Sequence, residues 1–131
     1  MEDSTKEFIN STPLVSLLGI EITAIGDGEA AGRLDLRREL SGHSDRTIAH
    51  GGVTFALADT VGGAAMMSLI ESPPPTIDMR VDYLDAGTGV LFAEAEVERV
   101  SRSAGTVHVE VFDDEETKIA VVRGVYDAHG W

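Results

Sequence analysis

Asp59 is the only charged residue between Gly51 and Ile70, a run of twenty positions opened by His50-Gly51-Gly52. A carboxylate in so apolar a stretch suits a general base that activates water, or a nucleophile that attacks a carbonyl directly. The glycine pair suits a second task. A helix beginning there leaves backbone N–H groups without intrahelical partners, and a turn free of side chains lets a carbonyl oxygen approach them. One such oxyanion donor typically contributes roughly 2.7 to 4 kcal/mol to a transition state. Asp59 lies eight residues after Gly51, about 12 Å along a helix, so one chain cannot bring both to the same atom. Two chains sharing one site are expected. His50 has two readings, as a helix-start histidine that hydrogen-bonds the loop or as a group that touches substrate.

The remaining chemistry is bounded by what the chain lacks. With no cysteine there is no thiol nucleophile, disulfide framework or thiolate metal site, which leaves hydroxyl, imidazole, carboxylate and backbone groups. His43, His50, His108 and His129 are scattered without ligand spacing, so no metal is expected. No phosphate loop, dinucleotide fingerprint or Gly-x-Ser-x-Gly elbow occurs. Asp45, five residues before His50, resembles the acid and histidine dyad of the enoyl-CoA hydratases, an alternative reading. The sequence between them, Arg46-Thr47-Ile48-Ala49, lacks the Asn-Pro of such dyads, and that reading leaves the glycines and Asp59 unexplained.

The elements that must position these residues follow from periodicity. Thr12 reads as an N-cap with Pro13 at the first helical position of a short helix ending before Gly19. Ile20 to Ile25 alternates as a strand, Gly26-Asp27-Gly28 is a hairpin turn, and a second strand spans about Glu29 to Leu36. Arg37 to Ile48 is a polar loop. The apolar run from Gly52 to Ile70 is long enough to cross a membrane, but Asp59 near its middle, its small residues and its lack of basic flanks favour a buried helix. Gly62-Gly63 costs about 1 kcal/mol per glycine in helix propensity, which implies tight packing or a bend. Pro73-Pro74-Pro75 stops the helix. Strands then alternate strictly. Ile77, Met79, Val81 and Tyr83 oppose Asp78, Arg80 and Asp82; Leu91, Ala93, Ala95 and Val97 oppose Phe92, Glu94, Glu96 and Glu98. Val107, Val109 and Val111 make a further buried row, and a charged turn at Asp113 to Glu116 leads into Lys118 to Tyr126. The order gives an α+β domain, one antiparallel sheet curled round one long helix.

The segment His50-Gly51-Gly52-Val53-Thr54-Phe55-Ala56-Leu57-Ala58-Asp59-Thr60, followed by the strand Thr76-Ile77-Asp78-Met79-Arg80-Val81-Asp82-Tyr83-Leu84, resembles the core of the hotdog-fold acyl-CoA thioesterases of the phenylacetic-acid-pathway type. With the later strands the resemblance covers about Leu14 to Tyr126. It implies hydrolysis of an acyl- or aryl-acyl-CoA thioester, with Gly51 polarising the carbonyl, Asp59 as base or nucleophile, and His50 and Thr76 assisting. It implies substrate contacts from Gly52, Ser44, Thr60 and Arg102, no cofactor beyond the coenzyme A of the substrate, and a homo-oligomer built as a dimer of dimers. Ser44 stands where the family often carries Asn. A hotdog domain that only binds acyl-CoA is the non-enzymatic alternative.

The 131 residues suffice for one core and not for two domains. The formal net charge of −13, from 23 acidic and 10 basic residues with only Lys6 and Lys118 as lysines, repels nucleic acid and anionic membranes, so neither is expected as a partner. It also repels coenzyme A. Concentrated salt would relieve that conflict, and an acid-rich, lysine-poor composition resembles that of salt-loving archaea. The acidic first seven residues lack the basic and apolar regions of a signal peptide, and the cytoplasm is the expected compartment.

Overall fold

A computed structural model describes residues 2–70 and 72–129. Two short helices, α1 (Glu2–Asn10) and α2 (Pro13–Leu18), precede strands β1 (Ile20–Gly26) and β2 (Glu29–Asp35). A 3-10 turn at Arg38–Leu40 leads to the long helix α3 (Gly51–Ile70), and β3 (Thr76–Tyr83), β4 (Val90–Val100), β5 (Ala104–Phe112) and β6 (Lys118–Asp127) complete the chain. The six strands form one antiparallel sheet in the order β1-β2-β4-β5-β6-β3. This is the α+β hotdog fold, with α3 lying across the concave face of the sheet.

The sheet buries its inward rows against α3. Leu34, Leu91, Ala93, Val107, Val109, Val111 and Val122 meet Leu57, Ala58, Val61 and Ala65, all at most 1 % exposed. Close approach explains the small residues. A Cβ on Gly32 of β2 would stand 2.7 Å from Val61 Cγ2, so only glycine admits the helix at that point. The expected hairpin turn is built as its sequence demands: Asp27 and Gly28 take φ of 54° and 80° between the paired residues Gly26 and Glu29. Two consecutive positive φ values make the turn whose twist matches antiparallel strands, and Asp-Gly is its preferred sequence. The apolar length of α3 is that of a membrane span, and here it is spent on the core of the domain.

The helix at Pro13 begins where the sequence indicates, but a further helix, α1, absent from the sequence expectations, precedes it. Thr12 occupies the N-cap position of α2, but its Oγ1 donates backwards to Ile9 O at 2.8 Å and makes no side-chain cap. The alternating apolar face of β3 is left open at its ends, with Ile77 59 % and Tyr83 54 % exposed. The reason is topological: β3 is an edge strand paired only with β6, and α3 runs mainly across β4, β2 and β5.

Candidate active site

Asp59 sits on the ninth residue of α3, half-buried, and its surroundings are set by the β3–β6 ladder. Thr76 and Tyr126 are direct partners in that ladder, so their side chains emerge on one face. Both hydroxyls reach Asp59. Thr76 Oγ1 donates to Asp59 Oδ1 at 2.7 Å. The Tyr126 hydroxyl lies 3.1 Å from the same Oδ1 and 3.0 Å from the Asp59 carbonyl oxygen, a three-centre bond from one proton. Tyr126 is only 1 % exposed. Burial first, then the adjacent Asp59 carboxylate, pushes its pKa far above the ordinary tyrosine value, so it remains a donor throughout the working pH range.

The cluster opens on a cavity of about 170 Å³ whose lining includes Asp59, Thr60, Thr76 and Tyr126 together with Phe8 and Ile9 of α1. Thr60 lines it while its Oγ1 donates to Ala56 O at 2.8 Å, within the helix. Tyr126 was not singled out in the sequence. The available signal was its place on the inward row Val122, Gly124, Tyr126, which put a hydroxyl among aliphatic side chains.

The other half of the expected chemistry lies at the start of α3. His50 Nδ1 accepts the Gly52 N–H at 2.8 Å, so the imidazole caps the helix in the manner of an N-cap side chain. The ring is then the tautomer with its proton on Nε2. His50 O accepts from both Val53 and Thr54 N–H, and Tyr83 on β3 donates its hydroxyl to Gly51 O at 2.7 Å. Each carbonyl of the turn is thereby pinned and the Gly52 N–H is engaged. The Gly51 N–H donates to no group among the described residues, which leaves it as the amide of this pair available to an oxyanion. A side chain at Gly51 would pack against the Tyr83 ring, 3.4 Å from the built Cβ.

Gly51 and Asp59 are not brought together within the chain, since α3 is one continuous helix. Ser44 lies in the exposed 41–48 loop, where its carbonyl accepts from Arg38 at 3.1 Å; Ser41 Oγ organises that loop by accepting the N–H groups of His43 and Ile48. Arg102 lies on the exposed turn between β4 and β5 and is absent from the cavity lining. Among the described residues Asp45 makes no bond to His50; its backbone N–H donates to His43 Nδ1 at 3.1 Å, so the hydratase-like pair does not form. No cluster of three or more His, Asp or Glu side chains suited to a metal occurs among the described residues.

Fold and site together define a hotdog domain with a helix-borne carboxylate. Residues 47–120 match the thioesterase superfamily model, and the chain belongs to that superfamily. A Halobacterium salinarum protein that carries the provisional name of an esterase is 33 % identical, over 92 % of this chain and 87 % of its own length. A solved Shewanella oneidensis protein described as related to the thioesterase superfamily superposes with a TM-score of 0.88 at 26 % identity, covering 96 % of this chain and 94 % of that one. A single-residue variant of the phenylacetic acid degradation protein PaaI from Thermus thermophilus gives 0.79 at 27 % identity, covering 88 % and 98 %. The chain is thus related to the PaaI-type acyl-CoA thioesterases.

Proposed function

We propose that this protein is an acyl-CoA thioesterase that hydrolyses an acyl- or aryl-acyl-CoA to the free acid and coenzyme A. The observation that carries the reading is Asp59, a carboxylate in an apolar helix, hydrogen-bonded by Thr76 and facing a cavity. The thioester carbonyl sits on the Gly51 N–H of one subunit, and Asp59 of a second subunit supplies the base or the nucleophile. As base it takes a proton from water, whose oxygen adds to the carbonyl carbon; the C–S bond then breaks and the thiol leaves. As nucleophile its oxygen adds to the carbonyl carbon, the C–S bond breaks and the thiolate leaves to be protonated by solvent, and water then cleaves the resulting anhydride to free acid and Asp59. The length of α3 and the open apolar edge of β3 both support assembly into dimers, and pairs of dimers make the proposed tetramer. No metal or redox cofactor enters either route. The proposed setting is a cytoplasm of high salt, for which the net charge of −13 speaks.

The test is thiol release across acyl-CoA chain lengths and an aryl-acyl-CoA, with the parent and Asp59→Asn compared at equal folding by circular dichroism. The parent should release thiol, and Asp59→Asn, which keeps shape but loses basicity, should lose at least about a hundredfold in kcat. Folded Asp59→Asn turning over near the parent rate would remove Asp59 from the mechanism. Acyl-CoA binding without thiol release would make the protein a binding module, and conversion of crotonyl-CoA to a hydroxyacyl-CoA would make it a hydratase.

A further inference from the structure

The Gly62-Gly63 pair in the middle of α3 has no role in the chemistry above, yet it weakens the helix that carries Asp59. For Gly62 the environment supplies the reason. A Cβ on Gly62 would stand 2.6 Å from the Tyr126 hydroxyl, one on Gly63 would stand 3.6 Å from Tyr126 Cε1, and one on Gly124 would stand 2.8 Å from Tyr126 Cε2. Gly62 and Gly124, from two elements, thus form a slot for one tyrosine ring, with Gly63 in ordinary contact with its edge. The slot ends at Asp59, one helical turn before Gly62, where the hydroxyl meets the carboxylate. Thr76 delivers a second hydroxyl to the same oxygen, Oδ1. No described group bonds Oδ2.

We propose that Tyr126, held in the Gly62/Gly124 slot and sharing its proton between the Asp59 carbonyl and Oδ1, is a positioning residue that together with Thr76 holds Asp59 Oδ1 and so fixes Oδ2 as the one oxygen that attacks or takes the proton. A carboxylate on a helix can rotate about its Cβ–Cγ bond and present either oxygen. Two donors on one oxygen stop that rotation and aim the other, which is the preorganisation a near-attack geometry needs. The hydroxyl does not touch substrate; it acts through Asp59. Its burial keeps it protonated, so the hold persists wherever Asp59 is ionised.

This rests on the thioesterase reading, and the experiment separates the two. Tyr126→Phe keeps the ring in its slot and removes the donor. Its kcat for thiol release should fall about ten- to a hundredfold, the worth of one hydrogen bond to a charged group, with KM changed less than threefold. In an Asp59→Asn background the same substitution should add no further loss, because there is no carboxylate left to aim. Gly62→Ala should lower kcat comparably by pushing the hydroxyl off Oδ1, and Gly62→Ala combined with Tyr126→Phe should be no worse than Tyr126→Phe alone. An independent readout is the downfield, slowly exchanging hydroxyl proton of Tyr126 in the NMR spectrum, absent in Tyr126→Phe and moved upfield in Asp59→Asn. Tyr126→Phe within threefold of the parent kcat, or losses that multiply in the Asp59→Asn background, would overturn the proposal. A parent that releases no thiol would sink the thioesterase reading. In that case a hydroxyl resonance unmoved by Asp59→Asn would show that Tyr126 does not hold the carboxylate, and the positioning role falls too.

Discussion

His50 illustrates how one hydrogen bond decides between two roles for a side chain. A histidine beside a glycine pair at the start of a helix reads equally well as a capping group and as a substrate contact. In the fold its Nδ1 is taken by the Gly52 N–H, and only the Nε2 edge remains. A cap of this kind contributes about 1 kcal/mol, which corresponds to a fall in melting temperature of roughly 3 to 5 °C for a domain of this size. His50→Ala should show that fall by calorimetry, and His50→Asn, whose shorter side chain is a good N-cap, should recover most of it. If capping is the main contribution of His50, thiol release should recover with stability in His50→Asn. Recovery of stability without recovery of turnover would instead place the Nε2–H on the substrate. Gly51 depends on the same bond, because a frayed first turn would no longer aim its N–H.

The helix α1 shows the same dependence one level up, since it exists by virtue of what it packs on. It buries only Ile9, and it is anchored by Asn10, whose Oδ1 accepts the Ile22 N–H at 2.7 Å and whose Nδ2 reaches Ile22 O at 3.5 Å. Asn10 therefore stands in for the missing neighbour of the edge strand β1, next to its register shift between Ile22 and Ala24. Asn10→Ala should cost about 1 to 2 kcal/mol in urea unfolding, the range for a lost side-chain bond and a partly orphaned backbone group. Because Phe8 and Ile9 wall the Asp59 cavity, KM should rise more than kcat falls. Such a helix gives little for a sequence reading to hold: its apolar face is the short pair Phe8 and Ile9, of which Ile9 is buried. The strands β4 and β5 are the opposite case. Their alternation was legible because each inward residue lands on α3, and the burial of Leu91, Ala93, Ala95, Val107, Val109 and Val111 follows it residue by residue. Asp59 and Thr76, singled out one from its isolation and one from its resemblance-given place at a strand start, are hydrogen-bonded to each other in the fold. Tyr126 was not singled out, because its meaning depends on the β3–β6 register that sets it opposite Thr76, and a single sequence does not reveal register.

The whole molecule carries its charge in a way that the net figure of −13 only hints at. On the outer face of the sheet Glu29 is paired directly with Glu96 across β2 and β4, and Glu94 directly with Glu110 across β4 and β5. Like charges in facing positions destabilise a sheet. These four carboxylates and Asp27 line one depression of about 590 Å³, where His108 is the basic side chain among the described lining residues. Bonds from His108 and then Lys118 hold Glu110 below the usual carboxylate range, and among the described residues Asp27, Glu29, Glu94 and Glu96 form no ion pair. Arg80 facing Arg123 across β3 and β6 adds a cationic repulsion on the far side of the same face. Salt screens every one of these contacts, and it screens the approach of anionic coenzyme A to an anionic protein. Between 0.1 M and 1 M KCl the Debye length shrinks from about 10 Å to about 3 Å, shorter than the spacing of facing strands. Melting temperature and kcat/KM for acyl-CoA should therefore both rise over that range. The double substitution Glu94→Gln and Glu96→Gln, which relieves both facing pairs without touching α3, should flatten the salt dependence of the melting temperature and leave that of kcat/KM largely in place, since the latter comes from the charge of the whole surface. Full stability and activity at 0.1 M salt, unchanged at 1 M, would show that the facing carboxylates are tolerated by local hydration alone and that the acidic surface is not an adaptation to salt.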